Sequence, residues 1–178
     1  MTLRIVITGP ECTGKTTLAA RLADAIGAPW VAEASRAYAE RAAREGRTLT
    51  AADVEPIAGA QIAAEDAVLA AAPPVVVLDT DLLSTIAYAA HYYGRDVAWI
   101  NAAARERRGD LYLLCAPDIP WVPDGIRDRP DAREELLALF RRVLCRFDAN
   151  VAEVRGLGAA RLDAALHAVR PLLAEARP

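Results

Sequence analysis

Apolar and polar positions alternate along the chain in blocks that predict strands and helices in turn. Residues 3–8, Leu-Arg-Ile-Val-Ile-Thr, form a short β-branched run of the kind buried in a sheet. Apolar residues at helical spacing predict a helix over 16–26, closed by Gly27. Trp30-Val31 predicts a short second strand, and 34–45 a helix that stops at Gly46. Thr50 and Asp53 form a capping-box pattern opening a long helix to about residue 72, with a disturbance expected at Pro56. After Pro73-Pro74, the run Val75-Val76-Val77-Leu78 is continuously apolar, as in a parallel strand covered on both faces. Helical spacing resumes over 82–93 and 97–107, and 111–115 predicts another buried strand. Prolines 117, 120, 123 and 130 and Gly125, set among charged residues, predict a loop over 116–130. A helix over 131–147, a last strand over 149–154 and a helix over 157–176 complete the pattern. Strands alternating with helices predict an α/β domain with a mainly parallel, five-stranded sheet.

Composition narrows the class. The chain has 178 residues, 54% of them hydrophobic, which suits one domain with one sizeable core. A net charge of −3 lacks the basic excess of a nucleic-acid binder, so no nucleic-acid partner is expected. No apolar run approaches the ~18 residues of a membrane span, so no membrane partner is expected either. Cys12, Cys115 and Cys145 are too far apart for a disulfide framework or a zinc site, which suits a reducing, cytoplasmic setting. The first strand leads directly into a motif, so no leader peptide is expected. His91 and His167 are isolated and suggest neither a metal site nor histidine catalysis.

The motif is Gly9-Pro10-Glu11-Cys12-Thr13-Gly14-Lys15-Thr16, which fits GxxxxGK[ST] and lies between a predicted strand and a predicted helix. Such a loop holds phosphates through successive backbone N–H groups and the positive end of the helix dipole. Gly9 and Gly14 allow the turn and the close approach. Lys15 is expected to reach the β- and γ-phosphates, and Thr16 to ligate Mg²⁺. Glu11, Cys12, Thr13 and Thr17 complete the expected ATP contacts.

Ligands of open α/β sheets bind outside the carboxyl ends of the strands. Glu33 and the segment Asp79-Thr80-Asp81 are predicted there. Asp79 is a candidate Mg²⁺ ligand, and Asp81 either an acid of the site or the N-cap of the next helix. Glu33 and Arg36, three apart, read as a carboxylate for the acceptor hydroxyl and an arginine for phosphate or substrate, or as a surface ion pair. Arg127 and Arg129 lie in the proline-rich loop, which reads as a lid neutralising phosphoryl charge. Trp121 beside it reads as packing or as a stacking surface. Tyr88, Tyr92 and Tyr93 read as filler at helical spacing.

Several separated segments resemble the ribosylnicotinamide kinase domain of NadR-type NAD-biosynthesis proteins, within the nucleoside/nucleotide kinase group of P-loop folds. They are residues 9–18 in the form GPExTGKT, Glu33-Ala34-Ser35-Arg36-Ala37-Tyr38, Gly59-Ala60-Gln61, Leu78-Asp79-Thr80-Asp81, and residues 120–127 in the form PWVxDGxR. They occur in the family's order and cover nearly the whole chain. The resemblance implies a three-layer P-loop fold forming one kinase domain over 1–178, with a lid-like loop at about 117–130. It also implies ATP-dependent phosphorylation of the 5′-hydroxyl of nicotinamide riboside, giving nicotinamide mononucleotide. Lys15 and Thr16 would then serve ATP–Mg²⁺ and Asp79 and Asp81 would form the acidic pair. Glu33, Arg36 and Gln61 would lie at the acceptor, with Trp121 beside it, and Arg127 would belong to the lid. Whether Glu33 or Asp79 is the general base stays open.

Some members carry an aromatic residue immediately before the glutamate, where this chain has Ala32, with Trp30 two positions further back. Bifunctional members also carry a helix-turn-helix and an adenylyltransferase domain. This chain begins at the kinase strand, so neither DNA regulation nor adenylyl transfer is expected of it. A kinase for another nucleoside or small metabolite, and an ATP-binding switch with slow hydrolysis, are the alternatives.

Overall fold

The computed structural model describes residues 2–120 and 133–175. Five strands form its sheet: β1 (Leu3–Thr8), β2 (Trp30–Val31), β3 (Val75–Asp79), β4 (Leu111–Cys115) and β5 (Val151–Val154). They lie in the order β2-β3-β1-β4-β5, and every neighbouring pair is parallel. The helices are α1 (Lys15–Ile26), α2 (Ala34–Arg44), α3 (Val54–Leu69), α4 (Leu82–Tyr93), α5 (Ala98–Glu106), α6 (Arg133–Arg146) and α7 (Gly158–Glu175).

The twofold periodicity of β1 explains the layers. Ile5 and Ile7 point to one face, where they pack with Leu18 and Leu22 of α1 and Val169 of α7. Val6 points to the other, into a cluster with Leu83 and Ile86 of α4, Ile100 of α5 and Phe140 of α6. A sheet covered on both faces needs strands apolar throughout, and the centres of β1, β3 and β4 are all buried. No helix among the described residues is long and apolar enough to cross a membrane.

Expected and observed elements differ mainly at their ends. Pro56 does not disturb α3, because it falls in the first turn, where a backbone N–H has no intrahelical partner to lose. The capping box between Thr50 and Asp53 forms as expected, over a short 3-10 turn at Ala51–Asp53 that precedes α3. That helix stops at Leu69 rather than near 72, and Ala72 takes a left-handed φ of 48°. The last strand starts at Val151 rather than 149, because the Ala149 N–H returns to the Leu144 carbonyl and finishes α6.

Candidate active site

The phosphate loop leaves β1 and enters α1 at the carboxyl edge of the sheet. Gly9 has φ of 131°, and a Cβ there would stand 2.7 Å from the Cys115 carbonyl oxygen of β4. Only glycine fits that conformation and that gap. Gly14 (φ 74°) is the N-cap of α1, and its carbonyl accepts from Leu18 N–H at 3.0 Å. Thr13 Oγ1 and Lys15 Nζ both donate to the Pro10 carbonyl, at 2.8 and 2.7 Å. Lys15 is therefore folded back across its own loop, only 6% exposed. Thr16 and Thr17 are exposed at the start of α1.

Asp79 closes β3 beside this loop. It is completely buried, and neither carboxylate oxygen receives a well-formed hydrogen bond. Burial pushes its carboxyl up from the ordinary range, the neighbouring Thr16 hydroxyl opposes that, and the Glu33 charge adds to it. Lys15 and Arg36 act the other way. The structure thus brings Lys15, Thr16, Glu33, Arg36 and Asp79 into one electrostatic unit. A buried carboxylate with no well-formed hydrogen bond, beside an exposed hydroxyl, is an oxygen donor set that suits a hard divalent cation.

Glu33 begins α2 without using its side chain as a helix cap. Ser35 Oγ donates to it at 2.5 Å, and it lies in the wall of a cavity of about 350 Å³. Apolar Val54 and Ile57 from α3, Thr80, Ser84 and the tyrosines 88, 92 and 93 of α4 also line this cavity. Gln61 is buried there with both amide hydrogens engaged, to Glu65 Oε1 at 3.1 Å and to the Thr80 carbonyl at 3.3 Å. Its Oε1 accepts from Ala34 N–H at 3.2 Å. Gln61 therefore ties the turn before α2 to the turn before α4, which makes it a positioning residue. Thr80 holds that second turn with a left-handed φ of 70°, and its N–H donates to the Ile7 carbonyl at 2.9 Å. Trp30 is not among the cavity residues; it stands exposed on β2.

Asp81 takes the capping role. Its Oδ1 accepts from Leu83 and Ser84 N–H, at 2.9 and 3.4 Å. The Tyr112 hydroxyl donates to Oδ2 at 2.6 Å, and Asp81 does not line the cavity. Burial pushes its carboxyl up to about 6, against the hydrogen bond from Tyr112. The ordinary value is 3.8, so protonated Asp81 stabilises the fold fully below that pH, and the contribution is lost as pH rises through about 6. Asp81→Asn removes this dependence. Chemical denaturation across pH should show the stability of the wild type relative to Asp81→Asn falling by about 3 kcal/mol between about pH 4 and 7. A constant difference would contradict the assignment.

On its other side the loop rests on Arg161 of α7, which is buried. Arg161 donates to the Thr13 carbonyl at 2.5 Å, to Ala116 at 3.1 Å and to Gly156 at 2.7 Å, and it pairs with Asp118. A smaller cavity of about 200 Å³ opens there, lined by Thr17, Arg21, Leu157 and Arg161 among others. Arg161 did not stand out in the sequence, and the α4 tyrosines read there as filler. Trp121, Arg127 and Arg129, and most of the expected lid, lie outside the described residues.

A family model described as an AAA domain matches residues 4–161. The trifunctional NAD biosynthesis/regulator protein NadR of Escherichia coli (strain K12) is 32% identical over 124 residues, 69% of this chain and 30% of the relative. NadR of Salmonella typhimurium matches with the same identity over the same extent. The chain thus spans 30% of the length of these curated relatives. A crystal structure of NadR protein in complex with NR superposes with a TM-score of 0.78 at 24% identity, over 96% of this chain and 50% of that one. Thymidylate kinase from Ehrlichia chaffeensis gives 0.68 at 13% identity, over 96% and 98%. These likenesses establish a fold shared with P-loop kinases. With the phosphate loop between β1 and α1 and the family model spanning most of the sequence, the chain belongs to the AAA-domain family of P-loop proteins.

Proposed function

We propose that this chain is a kinase domain that transfers the γ-phosphoryl group of ATP to the 5′-hydroxyl of nicotinamide riboside. The carrying observation is a two-sided site. The phosphate loop with Lys15 and Asp79 lies on one side, and Glu33 stands in the wall of a tyrosine-lined cavity on the other. About 350 Å³ lies within the range of small-molecule sites, and the cavity combines apolar walls with a few polar groups. The tyrosines offer faces for a flat ring. The similarity to NadR supports the choice of acceptor, since one NadR structure holds NR and another holds NAD and AMP-PNP.

In this reading the loop N–H groups and Lys15 bind and orient the triphosphate. Thr16 and Asp79 would hold Mg²⁺, which supplies charge neutralisation at the phosphate oxygens. Glu33 orients the acceptor hydroxyl and takes its proton, while Arg36 stabilises the charged form of Asp79. Arg127 and Arg129 are assigned to the phosphoryl group in transit. Catalysis is then mainly positioning and electrostatics. The walled cavity beside Glu33 favours a kinase over a nucleotide switch, which has no acceptor to house.

ADP release measured with nicotinamide riboside, uridine and thymidine tests the proposal. Turnover that depends on nicotinamide riboside is expected. Turnover with thymidine alone would keep the kinase and discard the substrate, and ATP turnover indifferent to any acceptor would discard the kinase.

A further inference from the structure

Two of the three cavity tyrosines end on the phosphate loop. Tyr88 Oη donates to the Gly9 carbonyl at 3.2 Å, and Tyr92 Oη donates to the Glu11 carboxylate. They stand one turn apart on α4, with rings stacked at 6.3 Å and 18°. The Tyr88 ring is fixed further by an edge contact with Phe140 of α6, at 5.4 Å. Glu11 is itself buried at 3% exposure, so its carboxylate depends on the donors that the fold supplies. The loop is thereby braced from two directions, by the β4 backbone against Gly9 and by the tyrosine hydroxyls of α4.

We propose that the Tyr92–Glu11 hydrogen bond couples the cavity to the phosphate loop, so that occupancy of either tightens binding at the other. Tyr92 is a positioning residue in this scheme. Its ring is part of the cavity wall, and its hydroxyl is bonded to a carboxylate of the loop. A nucleotide that orders the loop orders Glu11 and with it the Tyr92 ring. An acceptor packing on that ring then meets a surface whose ordering cost is already met. Linkage makes the effect reciprocal: an acceptor in the cavity raises nucleotide affinity by the same factor. The phosphate loop closes best when an acceptor is present, which limits futile hydrolysis. The proposal rests on the cavity being the acceptor site.

The test compares the wild type with Tyr92→Phe and Tyr93→Phe, since Tyr93 also lines the cavity but belongs to neither of these two bonds. Calorimetry of AMP-PNP binding, with and without nicotinamide riboside, gives the coupling factor. A factor of about 5 or more is expected for the wild type and Tyr93→Phe, falling to about 1 in Tyr92→Phe. An undiminished factor in Tyr92→Phe, an equal loss in Tyr93→Phe, or no coupling in the wild type overturns the proposal. Hydrogen exchange with AMP-PNP alone provides an arm that needs no acceptor. Slowed exchange should reach both the loop and residues 85–93 in the wild type, and only the loop in Tyr92→Phe. If nicotinamide riboside fails to bind, the substrate assignment falls and the exchange arm decides the coupling. Protection of 85–93 lost in Tyr92→Phe upholds it; protection retained there, or absent from the wild type, overturns it.

Discussion

Lys15→Ala lowers turnover by at least about 10³-fold while the fold survives. In the proposed mechanism the lysine adds a positive charge to the backbone N–H groups of the loop, where negative charge would gather on the transferring phosphoryl group. Its Nζ already donates to the Pro10 carbonyl at 2.7 Å, so the structure holds it over the loop instead of leaving it to solvent. Loss of the ammonium also removes a charge that opposes the burial of Asp79. The loop keeps other supports when the Lys15 bond to Pro10 is lost. Gly9 against Cys115, the Thr13 bond to Pro10 and Arg161 on the Thr13 carbonyl all remain. ADP release and AMP-PNP titration measure the first effect, and circular dichroism with a thermal midpoint measures the second. Full activity in a folded variant would refute the phosphate-loop assignment. Lys15→Met, which keeps much of the side-chain volume, guards against a packing artefact.

The phosphate loop was legible because its chemistry is local. A strand, two glycines, a lysine and a threonine must be consecutive to wrap a phosphate, so their spacing survives in one dimension. Asp79 was legible for a related reason: an acid ending an apolar run ends at the carboxyl edge of the sheet. Asp81 carried two readings because an N-cap and a site acid look alike until the Leu83 N–H and the Tyr112 hydroxyl are seen on its oxygens. The tyrosines of α4 were not legible. Helical spacing shows that residues 88 and 92 share a face, but that this face meets the loop is a tertiary fact, seen in the bonds of Tyr88 to Gly9 and Tyr92 to Glu11. Arg161 is the extreme case, since its bond to Thr13 joins residues 148 apart. Gln61 was placed at the acceptor by resemblance, and the structure makes it the tie between two turns.

Asp79→Asn lowers turnover by about 10²- to 10⁴-fold and raises the Mg²⁺ concentration needed for half-maximal rate. Asp79 and Glu33 differ in what each one faces. Asp79 is sealed from solvent, receives no well-formed hydrogen bond on either oxygen and answers electrostatically to Thr16 and Lys15. Such a carboxylate is costly to bury unless a cation or its ligands meet it, and the proposed function places it in the donor half. Glu33 lies in the cavity wall with Ser35 donating to it, and the proposed function places it in the acceptor half. The two variants should therefore fail differently. Asp79→Asn shifts the Mg²⁺ dependence and leaves the acceptor KM nearly unchanged. Glu33→Gln lowers kcat or raises the acceptor KM with the Mg²⁺ dependence intact. Magnesium titrations of both variants at fixed ATP and acceptor separate these roles. An unchanged Mg²⁺ requirement in Asp79→Asn would remove it from the metal site and leave proton transfer as its remaining part.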